Sequence, residues 1–357
     1  MLEEVRHRLE LREEGLSPYA TKSRESRGRA TPEEPSPLRT EFQRDRDRII
    51  HSNAFRRLKH KTQVFIAPTG DHYVTRLTHT LEMAQIGRTI ARALNLNEDL
   101  VEAIALGHDL GHTPFGHVGE EELDRLHPGG FHHASQSVRV VERLEKNGDG
   151  LNLTWEVREG IGAHSKPRDD LLGNMKEENI TLEAQICRIS DAVAYLNHDI
   201  GDAIRAGLLS EEELPAECKQ VLGTRHSQRI DTMVSDIVEF SWSANGEESP
   251  HRAGEVTIAM STRVHTAANV LREFMFQRVY LPAGEGELGR QARAVVRLLY
   301  DHFSLHPEEI PPEYHIREEP APRMAVDYIS GMTDEFAQRM AEQIQPGIAA
   351  GPASWQP

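Results

Sequence analysis

The chain has 357 residues, of which 38% are hydrophobic, 6% aromatic and 27% charged, and its formal net charge is −16. That length fits one large domain or two ordinary ones, and the composition fits a helix-rich globular protein with a modest core. No apolar run approaches the ~20 residues of a membrane span, and the opening residues lack the apolar centre of a secretory leader. The negative field opposes nonspecific binding to nucleic acid or an anionic membrane. A cytoplasmic location is expected, and Cys187 and Cys218 read as reduced thiols, with no Cys or His near either at zinc-motif spacing.

Residues 1–40 are charged and turn-rich, with Pro32, Pro35 and Pro37. They are expected to form an extended arm that is ordered by an oligomer partner. A basic stretch follows, Arg44, Arg46, Arg48, Arg56, Arg57, Lys59 and Lys61. It reads either as a solvated face or as a local site for a phosphorylated ligand. From residue 76 to about 94 a helix is predicted, on which His79, Met83, Ile86 and Ile90 repeat on one face. His79 therefore points to the core or a cleft. Asn97 is placed to cap the next helix, with Glu98 and Asp99 in its first turn. On that helix Val101, Ile104, Ala105 and His108 share a face, which directs His108 inward.

The run from Ala105 to His117 carries His108, Asp109, His112 and His117 among glycines and Pro114. Its flanks are apolar, so it is no solvated charge run, and Gly111 and Pro114 would break a core helix. Imidazole and carboxylate crowded at a helix end suit a catalytic divalent metal with open positions for substrate and water. Further on, a short helix is expected around 155–164, a polar loop at 165–178 and a helix over 181–198. That last helix carries Asp191 and Tyr195 one turn apart, and Asp199 two turns beyond Asp191. More helices are expected over 200–240, then a polar loop at 241–254 and room for short strands near 256–260. Ser261 should cap a long helix through Tyr280. Helices over 287–303 and 322–345 and a disordered tail at 346–357 complete an all-α reading with few or no strands.

His79, His108, Asp109 and Asp191 thus sit on three helices and point inward. Buried carboxylates are costly without a compensating cation or donors, and one metal ion would satisfy all four groups. Their order, H…HD…D, is the signature of the HD-domain metal phosphohydrolases. The stretches 46–65, 76–79, 108–117 and 190–199 narrow this further and resemble the deoxyguanosinetriphosphate triphosphohydrolase-like family, over roughly residues 19–280. The resemblance implies an HD-domain helical core over 41–280 with a C-terminal helical region over 281–345. It implies that His79, His108, Asp109 and Asp191 bind a divalent metal, Mg or Mn first, with Fe, Co, Ni or Zn as alternatives.

The same resemblance implies a dNTP substrate cleaved to deoxynucleoside and tripolyphosphate. His112, His117 and His133 are the other imidazoles of that site, and Glu120 orients either His133 or His117. Arg76 is expected on phosphate oxygens, Gln63 near the sugar 3′-hydroxyl, Tyr195 and Asp199 on the deoxyribose, and Tyr280 at the base or sugar. His164 and His198 read as structural. A homo-oligomer is implied, with a dNTP activator site to which Arg27 or Arg29 contributes. Ala192 departs from relatives that carry a phosphate-binding lysine there, leaving that charge to Arg56 or Lys59. The rival readings are another HD phosphohydrolase, such as a 5′-nucleotidase or phosphodiesterase, and a non-catalytic nucleotide-binding regulator. The intact set of His117, Glu120 and His133 argues against the regulator.

Overall fold

A computed structural model of the chain describes residues 2–64, 72–165, 180–247, 256–316 and 319–349. In chain order the helices are α1 (Leu2–Glu13), α2 (Glu41–Ile50), α3 (Asn53–Arg57), α4 (Arg76–Ala93), α5 (Glu98–Gly107), α6 (Gly116–Leu126), α7 (His133–Arg139) and α8 (Trp155–Ala163). Then come α9 (Leu182–Arg205), α10 (Ala216–Leu222), α11 (His226–Phe240), α12 (Thr262–Met275), α13 (Leu281–Glu285), α14 (Glu287–Leu305), α15 (Ala321–Ser330) and α16 (Asp334–Ile344). Among the described residues there is no strand, and the fold is all-α. No described helix is long and apolar enough to cross a membrane.

The chain forms two compact units that alternate along the sequence: residues 1–50, 80–108 and 152–275, and residues 51–79, 109–151 and 276–357. In the first, α5 packs on α2, α8 and α9. Ile49, Ile104, Ile161, Ile189 and Val193 are fully buried there. The close approach of α5 and α8 needs two glycines. A Cβ on Gly107 would lie 2.4 Å from Ile161, and one on Gly160 would lie 2.4 Å from Ile104. Asn97 caps α5 as expected, its side chain accepting from the amides of Asp99 and Leu100. Thr181 caps α9 through the amide of Ala184. Apolar residues keep helical spacing past 198, so α9 runs on to Arg205.

The opening residues depart from the expected extended arm. They begin with α1 and then pack on their own chain. Glu13 accepts from Ser23, Glu183 from Thr21, and Glu156 from Ser26 and Arg27. Glu13 within the arm and Glu156 and Glu183 far along the chain supply the carboxylates that order it. Residues 256–260 also differ, forming no strand. They run alongside α9, where the Gln185 side chain accepts from the Thr257 hydroxyl and the Ile258 amide in place of a neighbouring strand.

In the second unit α14 packs on α6, α15 and α16. Phe115, Leu123, Val295, Leu299, Phe303, Val326 and Ile329 form its core. The single helix expected over 322–345 is two. The chain turns at Gly331–Thr333, the Thr333 side chain caps α16 through the amide of Phe336, and Asp334 is carried inward. The helix expected to reach Tyr280 does so as α12 continued by a π-turn at Phe276–Tyr280. Most of the loop at 165–178, the end of the loop at 241–254 and residues 350–357 of the tail lie outside the described residues.

Candidate active site

The catalytic candidates of the second unit are built on the turn that follows α5. Asp109 and His112 close that turn, the His112 amide donating to the Asp109 carbonyl at 3.1 Å. A Cβ on Gly111 would stand 2.2 Å from the backbone nitrogen of Ser137, so only glycine lets the turn lie against α7. The Gly111 amide donates to the Ser137 hydroxyl at 2.9 Å. Phe115 holds a left-handed conformation, φ 62°, and its amide donates to Asp334 at 3.0 Å. The other oxygen of Asp334 accepts from the amide and hydroxyl of Thr62. The fully buried Lys61 ammonium nitrogen donates to the carbonyls of His112 and Ser330. Lys61 and Asp334 thus pin the turn to the segment before Gln63.

Arg76 opens α4 and is 1% exposed. Its guanidinium donates to Asp109 at 2.7 Å and to the Gln63 carbonyl at 3.3 Å. A ring nitrogen of His79 lies within 4.8 Å of an Asp109 oxygen, and donor atoms of Asp109, His112 and His133 lie equally close together. Glu120, on α6, joins the histidines. One oxygen lies 2.7 Å from His133 Nδ1 and accepts the His133 amide at 2.8 Å. The other lies 3.2 Å from His117 Nδ1 and 3.6 Å from His112 Nε2. The rings of His112 and His133 stack with centroids 4.6 Å apart. Glu120 therefore meets both His133 and His117, more closely the half-buried His133. The His117 side chain is 67% exposed.

Shared surroundings push these groups in opposite directions. Burial, then the charges of Arg76 and His133, holds His112 well below the usual imidazole range. Burial also works against the His133 imidazolium, but the Glu120 charge and hydrogen bond outweigh it and raise His133. Burial favours neutral Glu120, yet His133 and His117 overcome it, so the carboxyl stays ionised far below its ordinary value. Both ring nitrogens of His112 are buried and make no hydrogen bond among the described residues.

The remaining candidates lie in the first unit, Tyr280 excepted. His108 follows α5, with Nδ1 2.7 Å from the Ala105 carbonyl. A carbonyl only accepts, so Nδ1 carries the proton and Nε2 the lone pair that would bind a metal. His164 stands edge-on to His108, centroids 5.0 Å apart, its own Nδ1 2.6 Å from the Ile161 carbonyl. Asp191, Tyr195 and Asp199 share a stripe of α9. The first two are half-buried, and Ala192 is fully buried beside them. Burial and then Asp191 push the Tyr195 hydroxyl up. Asp199 is buried with an oxygen 2.9 Å from His198 Nδ1, and its charge holds His198 above the usual range against burial. Tyr280 is half-buried in the π-turn of the second unit.

The basic stretch is not one face. Arg44 and Arg48 both bind Glu33, Arg46 binds Asp47 and Glu102, and Lys61 is internal. Arg56 and Lys59 are exposed. Arg29, expected at a nucleotide, is instead enclosed by Asp45, Glu41 and the Asn152 carbonyl. Arg27 lies over the Trp155 ring, 3.7 Å from its centroid. The internal place of Lys61 and the role of Asp334 escape sequence reasoning. The one signal for Asp334 is its position after the cap residue Thr333.

The chain is similar to known proteins along most of its length. The HD domain family matches residues 76–196, and the phosphohydrolase-associated domain matches residues 258–343. A deoxyguanosinetriphosphate triphosphohydrolase-like protein of Caldanaerobacter subterraneus subsp. tengcongensis is 54% identical over 331 residues, covering 90% of each chain. Proteins of the same name from Desulfatibacillum aliphaticivorans and Clostridium tetani are each 47% identical. The former match covers 95% of this chain and 97% of its relative, the latter 90% of each. With such identity along nearly its whole length, the chain belongs to the deoxyguanosinetriphosphate triphosphohydrolase-like family of HD-domain phosphohydrolases.

Proposed function

We propose that the protein is a metal-dependent dNTP triphosphohydrolase that releases deoxynucleoside and tripolyphosphate. The observation that carries this reading is the unequal set of His112, Glu120 and His133 beside the buried Asp109 and Arg76. Groups driven apart in pKa within one polar pocket suit acid and base work. The donor set fits a divalent ion. His108 offers Nε2, His79 and Asp109 bring nitrogen and oxygen close together, and Asp191 adds a carboxylate. Those four residues would hold it, Mg or Mn first, and the ion would supply Lewis acidity at the α-phosphate.

The residues of the chain perform the rest. Arg76, held by Asp109, presents a guanidinium to phosphate oxygens. His133, kept protonated by Glu120, gives a proton to the departing 5′-oxygen. Water adds to phosphorus as the bond to the 5′-oxygen breaks, so its oxygen enters tripolyphosphate and the nucleoside leaves as the alcohol. His112, neutral, is free to hydrogen-bond water or phosphate with its two unused nitrogens. His117, exposed on the same carboxylate, is the alternative proton carrier. Gln63, Tyr195, Asp199 and Tyr280 read the sugar and base, and the Tyr195 ring leaves no room for a 2′-hydroxyl. Homo-oligomerisation, a dNTP activator site and a cytoplasmic location belong to the same reading.

Incubation of the purified protein with each dNTP and NTP, under Mg and under Mn, tests it. Tripolyphosphate from dNTP supports the proposal. Monophosphate as the phosphate product would indicate a 5′-nucleotidase, and nucleotide bound without turnover a regulator. Asp109→Ala should lose bound metal in elemental analysis while remaining folded. Full metal occupancy in that variant would remove Asp109 from the ligands.

A further inference from the structure

The far end of α14, in the second unit, carries four metal-ligating side chains that no step above uses. His302 and His306 stand one helical turn apart, and Glu308 and Glu309 follow just beyond the helix. A spacing of four residues puts both imidazoles on one helix face, and their ring centroids are 4.9 Å apart. His306 ends the helix, its amide donating to the His302 carbonyl at 2.8 Å. Pro307 then opens a short turn, in which the Glu309 amide donates to the His306 carbonyl and the Ile310 amide to the Pro307 carbonyl, each at 3.1 Å. Ile310 is 2% exposed and belongs to the core of this unit. Its burial fixes the turn that holds both carboxylates at the helix end.

The four side chains meet. A Glu309 oxygen lies 2.9 Å from His302 Nε2, and a Glu308 oxygen lies 3.3 Å from His306 Nδ1. Donor atoms of His306, Glu308 and Glu309 all lie within 4.8 Å of one another. Ligands on a tetrahedral ion with bonds of about 2.1 Å stand about 3.4 Å apart, and these three side chains are exposed and free to rotate that far. Neither carboxylate pairs with an arginine or lysine among the described residues, where the two histidines are their ion-pair partners. Two carboxylates thus gather at the C-terminal end of a 19-residue helix, where the last carbonyls already make the potential negative. That place disfavours anions until a cation joins them.

We propose that His302, His306, Glu308 and Glu309 form a second, surface metal site for a divalent transition ion of the zinc, nickel or copper class. Imidazole nitrogen suits such ions, whereas magnesium and calcium prefer oxygen. Two histidines four residues apart on a helix are a zinc-ligating spacing, and two carboxylates balance the charge of the ion. Bound there, the ion ties the end of α14 to the turn that follows and stabilises the fold by linkage. None of the four residues belongs to the proposed dNTP site, so the inference does not depend on that reading.

Equilibrium dialysis of the full-length protein against micromolar zinc, with the bound metal counted by elemental analysis, tests the proposal. Wild type should hold one zinc ion more than His306→Ala. That difference should persist in millimolar magnesium, which competes for carboxylate sites and not for imidazole. His306 is exposed at a helix end, so its variant folds. His302→Ala should weaken the zinc by at least ~10-fold, and Glu309→Gln by less. Adding His306→Ala to Asp109→Ala should again remove one ion, which separates this site from the proposed catalytic metal. Zinc should also raise the urea midpoint of wild type more than that of His306→Ala. Equal zinc content in wild type and His306→Ala would overturn the proposal, and so would loss of the extra ion in magnesium. The four side chains would then be hydrogen-bonded pairs at a helix end and nothing more.

Discussion

Two buried ionic clusters, one in each unit, use charge in opposite ways. In the first unit the Arg29 guanidinium, its side chain 5% exposed, spends its donors on Glu41, Asp45 and the Asn152 carbonyl. Asp45 spends its remaining oxygen on the amide and hydroxyl of Thr154, at 2.8 and 2.7 Å. That cluster is closed. In the second unit a single carboxylate, Glu120, faces three imidazoles, and both nitrogens of His112 are left without a hydrogen bond among the described residues. Leaving a buried polar atom unpaired costs about 1–3 kcal/mol. A fold keeps such a cost where a ligand later satisfies the group. The closed cluster serves stability, and under the proposed function the open one would serve chemistry.

The sharpest way to break this distinction is to remove the centre of the open cluster. His133→Ala should lower kcat by ~10²–10⁴, the range for a positioned proton donor, while keeping its metal. Its pH profile is as informative as its rate. His133 is raised by Glu120, so the wild type should keep its acid form above the usual imidazole range and lose activity as pH rises through the raised value. That alkaline limb should vanish in the variant. Near-normal turnover would transfer the proton to His117.

The closed cluster should respond in the other currency. Arg29→Met leaves Asp45 fully buried without its cation, a situation that costs about 3–5 kcal/mol. Urea unfolding should show that loss, with metal content unchanged. A loss below about 1 kcal/mol would mean that Asp45 takes up a proton and needs no partner. The same logic recasts the opening residues. Deleting residues 1–30 removes Arg29 and the hydrogen bonds to Glu13, Glu156 and Glu183, so it should destabilise the fold itself.

The difference between the clusters also explains what was legible in the sequence. Local signals survived. The repeat of His79, Met83, Ile86 and Ile90 gave α4, Asn97 with Glu98 and Asp99 gave the start of α5, and the crowding of His108, Asp109, His112 and His117 pointed to the candidate site. Each depends on residues within a few turns of one another. What failed depends on distance along the chain. Arg29 meets a carbonyl 123 residues away and Thr62 meets Asp334 across 272. No local pattern separates the internal Lys61 from Lys59, two positions before it. The break between α15 and α16 was missed for the same reason, because Asp334 is drawn inward by partners near Lys61 and Phe115.

Lys61 lies between the two kinds of cluster, and the smallest predicted effect decides to which it belongs. Its nitrogen faces two carbonyls, those of His112 and Ser330, which matches the two N–H bonds of a neutral amine. Burial and the charge of Arg57 push its pKa from 10.5 to about 7. In the unfolded chain it stays protonated up to its ordinary value. Between those limits the unfolded state binds one proton more, so folding stability should rise with pH by about 1.4 kcal/mol per unit. From pH 7.5 to 9.0 the wild type should therefore gain about 2 kcal/mol relative to Lys61→Met. Urea unfolding of both proteins at the two pH values measures this. The two carbonyls that the methionine leaves unpaired change the variant's absolute stability but not its slope. A steeper wild type places Lys61 with the neutral, adjustable groups of the open cluster. Equal slopes would mean that the two carbonyls hold a full ammonium, and Lys61 would then be a closed structural tie like Arg29.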